Sequence, residues 1–257
     1  MTKLTMRSNA AKPSGFVVYH GPSMIDGSPI VGVLIKPRAK KRSNIKTGAM
    51  AQVYILQRDI HPLDAVATGT DVGICGDCRH RPTINPKTNK AEKRTCYVNL
   101  GHGPTSVYRS LLAEKYPAIE PDMVAQTVNP SWKVRMGAYG DPAALPPHMR
   151  KRITNPAKGF TSYSHQWRRG DVTDSMASVD TIAEAHEAWE MERRTFRVVS
   201  SVDELVKGKE ILCPATSVDG ITCEDCMLCD PAKTAKSIGV LVHGPGAKHF
   251  NSKEGQQ

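Results

Sequence analysis

Seven cysteines are the residues of this 257-residue chain whose type and spacing most directly admit chemistry. Cys213, Cys223, Cys226 and Cys229 place four thiols within 17 residues. In the run from Cys223 to Cys229, each two-residue spacer turns the next sulfur back toward the same centre. A C-x2-C-x2-C run with a proline close behind, here Pro231, has the ferredoxin spacing. Cys213 supplies a fourth thiolate and closes the site, which predicts a structural or electron-transferring centre. Tetrahedral zinc needs only the same four thiolates, so this spacing leaves a [4Fe–4S] cluster and zinc both open.

Cys75, Cys78 and Cys96 form the other group, a C-x2-C pair and a third cysteine after a 17-residue spacer. His80 and His102 flank it. Either a histidine completes a closed zinc site, or the three cysteines hold a [4Fe–4S] cluster with one iron open to a small molecule. A third region with site chemistry is Ser164-His165-Gln166-Trp167, at the end of a predicted strand. There is no P-loop, G-x-S-x-G or H-E-x-x-H pattern, which removes support for nucleotide hydrolysis, serine-hydrolase and zincin chemistry.

The elements that must position these residues follow from hydrophobic patterning. Phe16–His20, Ile30–Lys36 and Ala51–Leu56 are β-branched runs punctuated by Gly-Pro and Asp-Gly, and read as a small N-terminal β element. Thr83–Lys93 is polar and reads as a loop. Helices are expected over 106–116, 148–153 and 181–193, and strands over 132–139, 160–166, 175–179, 195–200, 210–212 and 238–243. Strands alternating with helices predict parallel βαβ units. The expected class is therefore α/β, a partial (βα) barrel-like parallel sheet carrying Cys-rich metal-binding loops. Ligands of such folds sit at the C-terminal ends of the strands. The expected organisation is 1–70, a basic N-terminal β element and loop; 71–246, the barrel-like domain; and 247–257, a disordered tail. Residues 1–15 also read as disordered.

The net charge is +10, from 35 Lys and Arg against 25 Asp and Glu. It is an N-terminal feature: residues 1–50 hold nine Lys or Arg and a single acid, Asp26. The run Lys36, Arg38, Lys40, Lys41, Arg42, Lys46 could contact the phosphates of a nucleic acid. Few aromatics accompany it, so base stacking is not expected. No apolar run approaches the roughly 20 residues of a membrane-spanning helix, and Met1–Gly15 has no apolar signal core. A cytoplasmic protein without a membrane partner is expected, in a reducing compartment where cysteines favour metals over disulfides.

The order of these motifs resembles the radical S-adenosylmethionine enzymes and the phage-encoded mycobacteriophage gene product 88 group, over roughly Gly73 to His243. Cys75, Cys78 and Cys96-Tyr97 resemble the three-cysteine loop that holds an open [4Fe–4S] cluster. Tyr139-Gly140-Asp141-Pro142 is similar to the turn that holds the methionine amino group. Ser178-Val179-Asp180 resembles a later strand that contacts the ribose or carboxylate, and Cys213–Cys229 a C-terminal auxiliary centre, [4Fe–4S] or zinc. The spacing departs from the family, whose cysteines lie as C-x3-C-x2-C in one short loop. The resemblance implies S-adenosylmethionine as cofactor, Gly140, Asp141, His165, Ser178 and Asp180 as its pocket, and hydrogen abstraction from an unknown substrate. An alternative of another class is a non-enzymatic, zinc-stabilised protein that binds nucleic acid or a host protein.

Overall fold

The computed structural model describes residues 13–39 and 45–250. Its strands are β1 (Gly15–Pro22), β2 (Pro29–Ile35), β3 (Ala51–Gln57), β4 (Thr83–Ile84), β5 (Ala91–Glu92), β6 (Lys133–Tyr139), β7 (Gly159–Thr161), β8 (Tyr163–Ser164), β9 (Met176–Val179), β10 (Thr195–Val199), β11 (Glu210–Leu212) and β12 (Ser237–Leu241). The α-helices are α1 (Pro62–Thr68), α2 (Val72–Cys75), α3 (Gly103–Leu112), α4 (Val124–Thr127), α5 (Pro147–Thr154), α6 (Ile182–Glu190), α7 (Pro214–Ser217) and α8 (Cys223–Cys226).

One sheet has the order β1-β2-β3-β6-β7, the other β11-β12-β10-β9-β8. β1, β2 and β3 pair antiparallel, while β3–β6 and β6–β7 are parallel. Every pair in the second sheet is parallel. The two sheets meet where β7 and β8 are separated by Ser162 alone. There the Ser162 N–H leaves the ladder and donates to the Cys229 carbonyl at 3.2 Å, while its own carbonyl accepts from Met176 N at 2.9 Å. One extended stretch thus borders both sheets, and the fold is a mixed α/β architecture with parallel strands.

β2 is β-branched and buried along most of its length because it lies between β1 and β3. Val33, Ile55, Val134 and Met136 of the first sheet pack with Val107, Met149 and Ile153 of the helices in the largest apolar cluster. α6 is started by a capping box: Thr181 Oγ1 accepts from Glu184 N, and Glu184 accepts from Thr181 N. Its Ala185 and Ala188 pack on Ala177 and Val179 of β9 and on Trp167.

Several expectations change. The boundary after residue 70 does not separate two sheets, since β3 hydrogen-bonds β6. Thr83–Lys93 is a short hairpin, β4 with β5, whose tip is tied by Asn85 Oδ1 accepting from Lys87 N and Thr88 N. Gly15 already belongs to β1, while residues 1–12 lie outside the described residues. Residues 247–249 form a 3-10 turn and Phe250 is buried, stacked 6.1 Å from the His80 ring; the rest of the expected tail, 251–257, lies outside the described residues. Lys40, Lys41 and Arg42 of the basic run also lie outside them, and Lys36 sits over the Phe16 ring at 4.6 Å. Among the described residues no helix is long and apolar enough to cross a membrane.

Arg197 of β10 reaches over β12 to Glu210 of β11, with Nη2 donating to Oε2 at 2.6 Å and Nε to Oε1 at 3.0 Å. The Glu210 side chain is 0% exposed and that of Arg197 5%. Removing one partner strands a buried charge, whereas removing both does not. Arg197→Ala should therefore lose about 3–5 kcal/mol in urea unfolding, and the double variant R197M/E210M should lose much less. Equal losses in the two would show that the pair is not what holds this edge.

Candidate metal and cofactor site

The first cysteine loop is built from local signals. His61 Nδ1 caps α1 by accepting from Leu63 N at 3.3 Å, and α1 stops at Gly69, whose φ is 77°. α2 ends at Cys75, and the chain turns at Gly76 with φ 60°, where a Cβ would lie 2.3 Å from the Gln166 side-chain nitrogen. Only glycine fits both that conformation and that approach. Arg81 locks the turn: Nη1 donates to Gly76 O at 2.8 Å, and Nη2 to Gly69 O at 2.7 Å and Asp71 Oδ1 at 2.8 Å. The spacer before Cys96 closes at its neck, where the His80 carbonyl accepts from Thr95 N at 3.2 Å and Cys96 N at 3.1 Å. Cys96 is thereby returned to the Cys75–Cys78 loop.

Cys75, Cys78 and Cys96 line one cavity of about 100 Å³, together with Gly140, Asp141, His165 and Ser178. Burial pushes the Cys75 thiol well up, and charge on Cys78 adds to it; burial also raises Cys96. Thiols that share one cavity and whose ionisation burial opposes ionise together only against a compensating cation.

Asp141 ties this loop to two strand ends. Its N–H donates to Ile74 O at 2.6 Å, one residue before Cys75. Its carboxylate accepts from Ala143 N at 2.9 Å, Ser164 Oγ at 2.6 Å and His165 N at 2.8 Å. Burial raises its pKa against those three donors. Gly140 before it has φ 81°, and a Cβ there would lie 2.8 Å from both Cβ and O of Ile55, so the turn after β6 packs directly on β3.

His165, Ser178 and Asp180 meet at the ends of β8 and β9. His165 Nε2 lies 3.7 Å from Cys78 Sγ, 3.3 Å from Ser178 Oγ and 3.6 Å from Asp180 Oδ1. His80 Nε2 reaches the same Asp180 oxygen at 3.3 Å, and His80 Nδ1 shares a hydrogen bond with Thr95 Oγ1 at 2.8 Å. Burial works to raise Asp180, yet bonds from His165 and His80 hold it well below the usual carboxylate range. Burial works to lower His165, yet Cys78 and Asp180 hold it well above the usual imidazole value. Both histidines line the cavity and Asp180 does not, so Asp180 positions them from behind. His80, Asp180 and His165 bring three ligand atoms within 4.8 Å of one another, a donor set that suits zinc or iron(II).

The four-cysteine group faces a larger cavity of about 490 Å³, lined by Cys213, Cys223, Cys226 and Cys229. Cys213 leaves β11 with its N–H on Gly239 O at 2.8 Å. Cys223 opens α8, and its N–H donates to Lys46 O at 2.8 Å, next to Ala49 N, which donates to Glu224 Oε2 at 2.7 Å. Lys133 Nζ donates to Glu224 O at 2.5 Å, and Arg194 donates to Leu228 O and Asp230 O. The loop is thus fastened where β3, β6 and β10 begin, at the end of the strands opposite Asp141 and His165. Burial and then the neighbouring cysteines push the Cys229 thiol far up, and burial raises Cys223.

Tyr97, Val98, Tyr163 and Phe196 line both cavities. Tyr97 Oη and Tyr163 Oη share a hydrogen bond at 2.8 Å, and Arg135 Nη2 donates to them at 3.0 and 3.2 Å. Tyr163 stacks on Phe196 at 4.3 Å and Tyr97 on His243 at 5.3 Å. A salt bridge is the ordinary expectation for Arg135 in sequence; its partners are instead the two hydroxyls. Tyr163 as a partition and His80 as a partner of Asp180 were not singled out by motif. Asp77 and Gln166 meet at 2.5 Å and join the cysteine loop to the segment after β8.

Asp141→Ala would leave three donors unpaired, Ala143 N, Ser164 Oγ and His165 N, the first two of them buried. It is expected to cost about 3 kcal/mol in denaturant unfolding and to weaken metal retention by the first cysteine group. Lost metal with unchanged stability would instead make Asp141 a direct contact of the bound group. No family model, curated protein or solved structure matches this chain.

Proposed function

We propose that the chain is an iron–sulfur protein of radical S-adenosylmethionine type, with an open [4Fe–4S] cluster held by Cys75, Cys78 and Cys96 in a partial parallel barrel. The carrying observation is that these three cysteines, Gly140, Asp141, His165 and Ser178 line one cavity although they come from five separate segments. A second support is curvature. One cavity takes side chains from β3, β6, β8, β10 and β12, and flat strands about 4.8 Å apart would carry β3 and β12 too far from each other for that.

The spread of the thiols supports the iron–sulfur reading over zinc. Tetrahedral zinc, with Zn–S bonds of about 2.3 Å, draws its thiolates to about 3.8 Å of one another. Among the described residues no three thiols lie mutually within 4.8 Å. A cubane spreads its thiolates wider, since each binds a different iron. Cys213, Cys223, Cys226 and Cys229 would hold the closed second centre. When bound, the open cluster supplies one-electron reduction of the S-adenosylmethionine sulfonium, and with it hydrogen abstraction from a substrate. The chain supplies position. Arg81 and the hairpin neck fix the cysteines, the Gly140-Asp141 turn lines the cavity, and Asp180 holds the His165 and His80 rings that line it. Tyr97 and Tyr163 stand between the two cysteine groups and line both cavities.

A second reading keeps the non-enzymatic, zinc-stabilised alternative, and the His80–Asp180–His165 trio beside Cys78 favours it. In that reading the nearby cysteine and the trio grip one zinc ion. Anaerobic reconstitution with iron and sulfide separates the two. The iron–sulfur reading expects broad visible absorption, S-adenosylmethionine binding by calorimetry, and iron content halved in Cys75→Ala and in Cys223→Ala, with ligand binding lost only in the first. Stoichiometric zinc that resists exchange, with no visible absorption, would sink it.

A further inference from the structure

We propose that the 490 Å³ cavity binds a small organic anion, a carboxylate or a phosphate ester, through the guanidinium of Arg135. This rests on reading that cavity as the substrate space next to the open cluster.

The first observation is the state of Arg135 compared with the other interior arginines. Arg150 is saturated by Asp174 and by the carbonyls of Leu145 and Asp171. Arg193 donates to the carbonyls of Trp167, Val172 and Ser175, and Arg194 to four carbonyls. Arg197 is paired with Glu210. Arg135 instead has one nitrogen, Nη2, on two tyrosine hydroxyls, and among the described residues no carboxylate within 4.0 Å. Guanidinium prefers a two-pronged oxyanion, and neutral hydroxyls on one nitrogen leave most of that preference unmet.

The second observation is the cavity lining. It includes Arg135, Lys46, His102 and His243 and neither Asp nor Glu; the groups there that can carry negative charge are the four cysteines, with Cys223 acting on Arg135, and the tyrosine hydroxyls. α3 begins on the same wall at His102 and Gly103, with no side chain capping its first turn. Its positive end adds to the field of Arg135 and does not carry the argument alone. The remaining wall is aromatic, with Tyr97 on His243 and Tyr163 on Phe196. The closed centre on the four cysteines would fill one side of this space, and the anion would take the part beside Arg135, Tyr97 and Tyr163.

The third observation concerns the cysteines that share the wall. With all four thiolates on one closed centre, no coordination position remains for an organic ligand. A substrate in this space must be held by side chains, and Arg135 is the cation placed on the partition between the two cavities. A carboxylate or phosphate on Arg135 would hold its carbon skeleton beside Tyr97 and Tyr163, on the path to the open cluster.

The test uses the full chain reconstituted with iron and sulfide, titrated calorimetrically with benzoate in one arm and inorganic phosphate in the other. Saturable binding of at least one probe is expected; benzoate alone marks a planar carboxylate site and phosphate alone a phosphate site. Arg135→Gln should weaken it about tenfold to a hundredfold, and Arg135→Lys should keep part of it. Thermal unfolding and iron content of both variants should match the parent. The proposal is overturned if neither probe binds, if R135Q binds as the parent does, or if R135Q loses iron and so shows Arg135 to be the counter-charge of the four-cysteine centre. Stoichiometric displacement of the probe by S-adenosylmethionine also overturns it, by giving the anchor to the cofactor. Failure of the cofactor reading looks different: no iron retained and no S-adenosylmethionine bound, with the Arg135-dependent anion still held.

Discussion

Asp141 takes part in three contacts that the rest of the site depends on. Its N–H holds the end of α2 through Ile74, and its carboxylate holds the end of β8 through Ser164 Oγ and His165 N. These bonds set Cys75 and His165 at a fixed separation before any ligand binds. Burial by itself favours the protonated carboxyl, and the three donors oppose it. The network is therefore satisfied only when all its members are in place. Because Gly140 packs on Ile55 with no room for a side chain, the same turn also fixes β6 against β3. Three strands, β3, β6 and β8, are thus tied together at one end by one acidic residue and the glycine before it.

Charge is managed by a second device that recurs at both cysteine groups. Arg94 donates to the carbonyls of Cys96 and Val98, and Arg81 to those of Gly76 and Gly69. Arg194 does the same for Leu228 and Asp230. Each guanidinium closes a cysteine-bearing loop through main-chain oxygens while standing near thiols whose ionisation burial opposes. One residue type therefore serves rigidity and electrostatics together, and the planar, permanently charged fork of arginine suits that double role better than lysine would. Arg135 departs from this pattern, because its partners are side-chain hydroxyls in a cavity wall and not loop carbonyls.

Much of the architecture was legible because strands are short apolar runs and helices carry capping signals. β11 begins and ends where its pattern does, and the Thr181 capping box announces α6. The C-terminal ends of β6, β8 and β9 bring together Gly140, Asp141, His165 and Ser178, as parallel connectivity predicts. Other features were hidden for physical reasons. The break between β7 and β8 depends on Ser162 finding the Cys229 carbonyl, a partner 67 residues away. α1 carries a start signal in His61-Pro62, but its seven residues bury too few apolar positions to show a period. The pairing of His80 with Asp180 and the cover given by Phe250 join segments far apart in sequence, and one sequence holds no record of such contacts.

The long spacer between Cys78 and Cys96 is the departure that most threatens convergence, and its energetic weight can be bounded. Closing a loop of 17 residues in place of one of about three costs about 1.5 kcal/mol of additional chain entropy. The two neck bonds from Thr95 N and Cys96 N to the His80 carbonyl are each worth about 0.5–1.5 kcal/mol, and the β4–β5 ladder and the Asn85 turn add further bonds. These gains match or exceed the cost. The insertion is also self-contained, because its strands pair with each other and with no other strand. A hairpin that closes on itself changes the sequence distance between two ligands without changing where the chain re-enters. Spacing alone is thus a poor guide to which thiols meet; the bonds at the neck decide it.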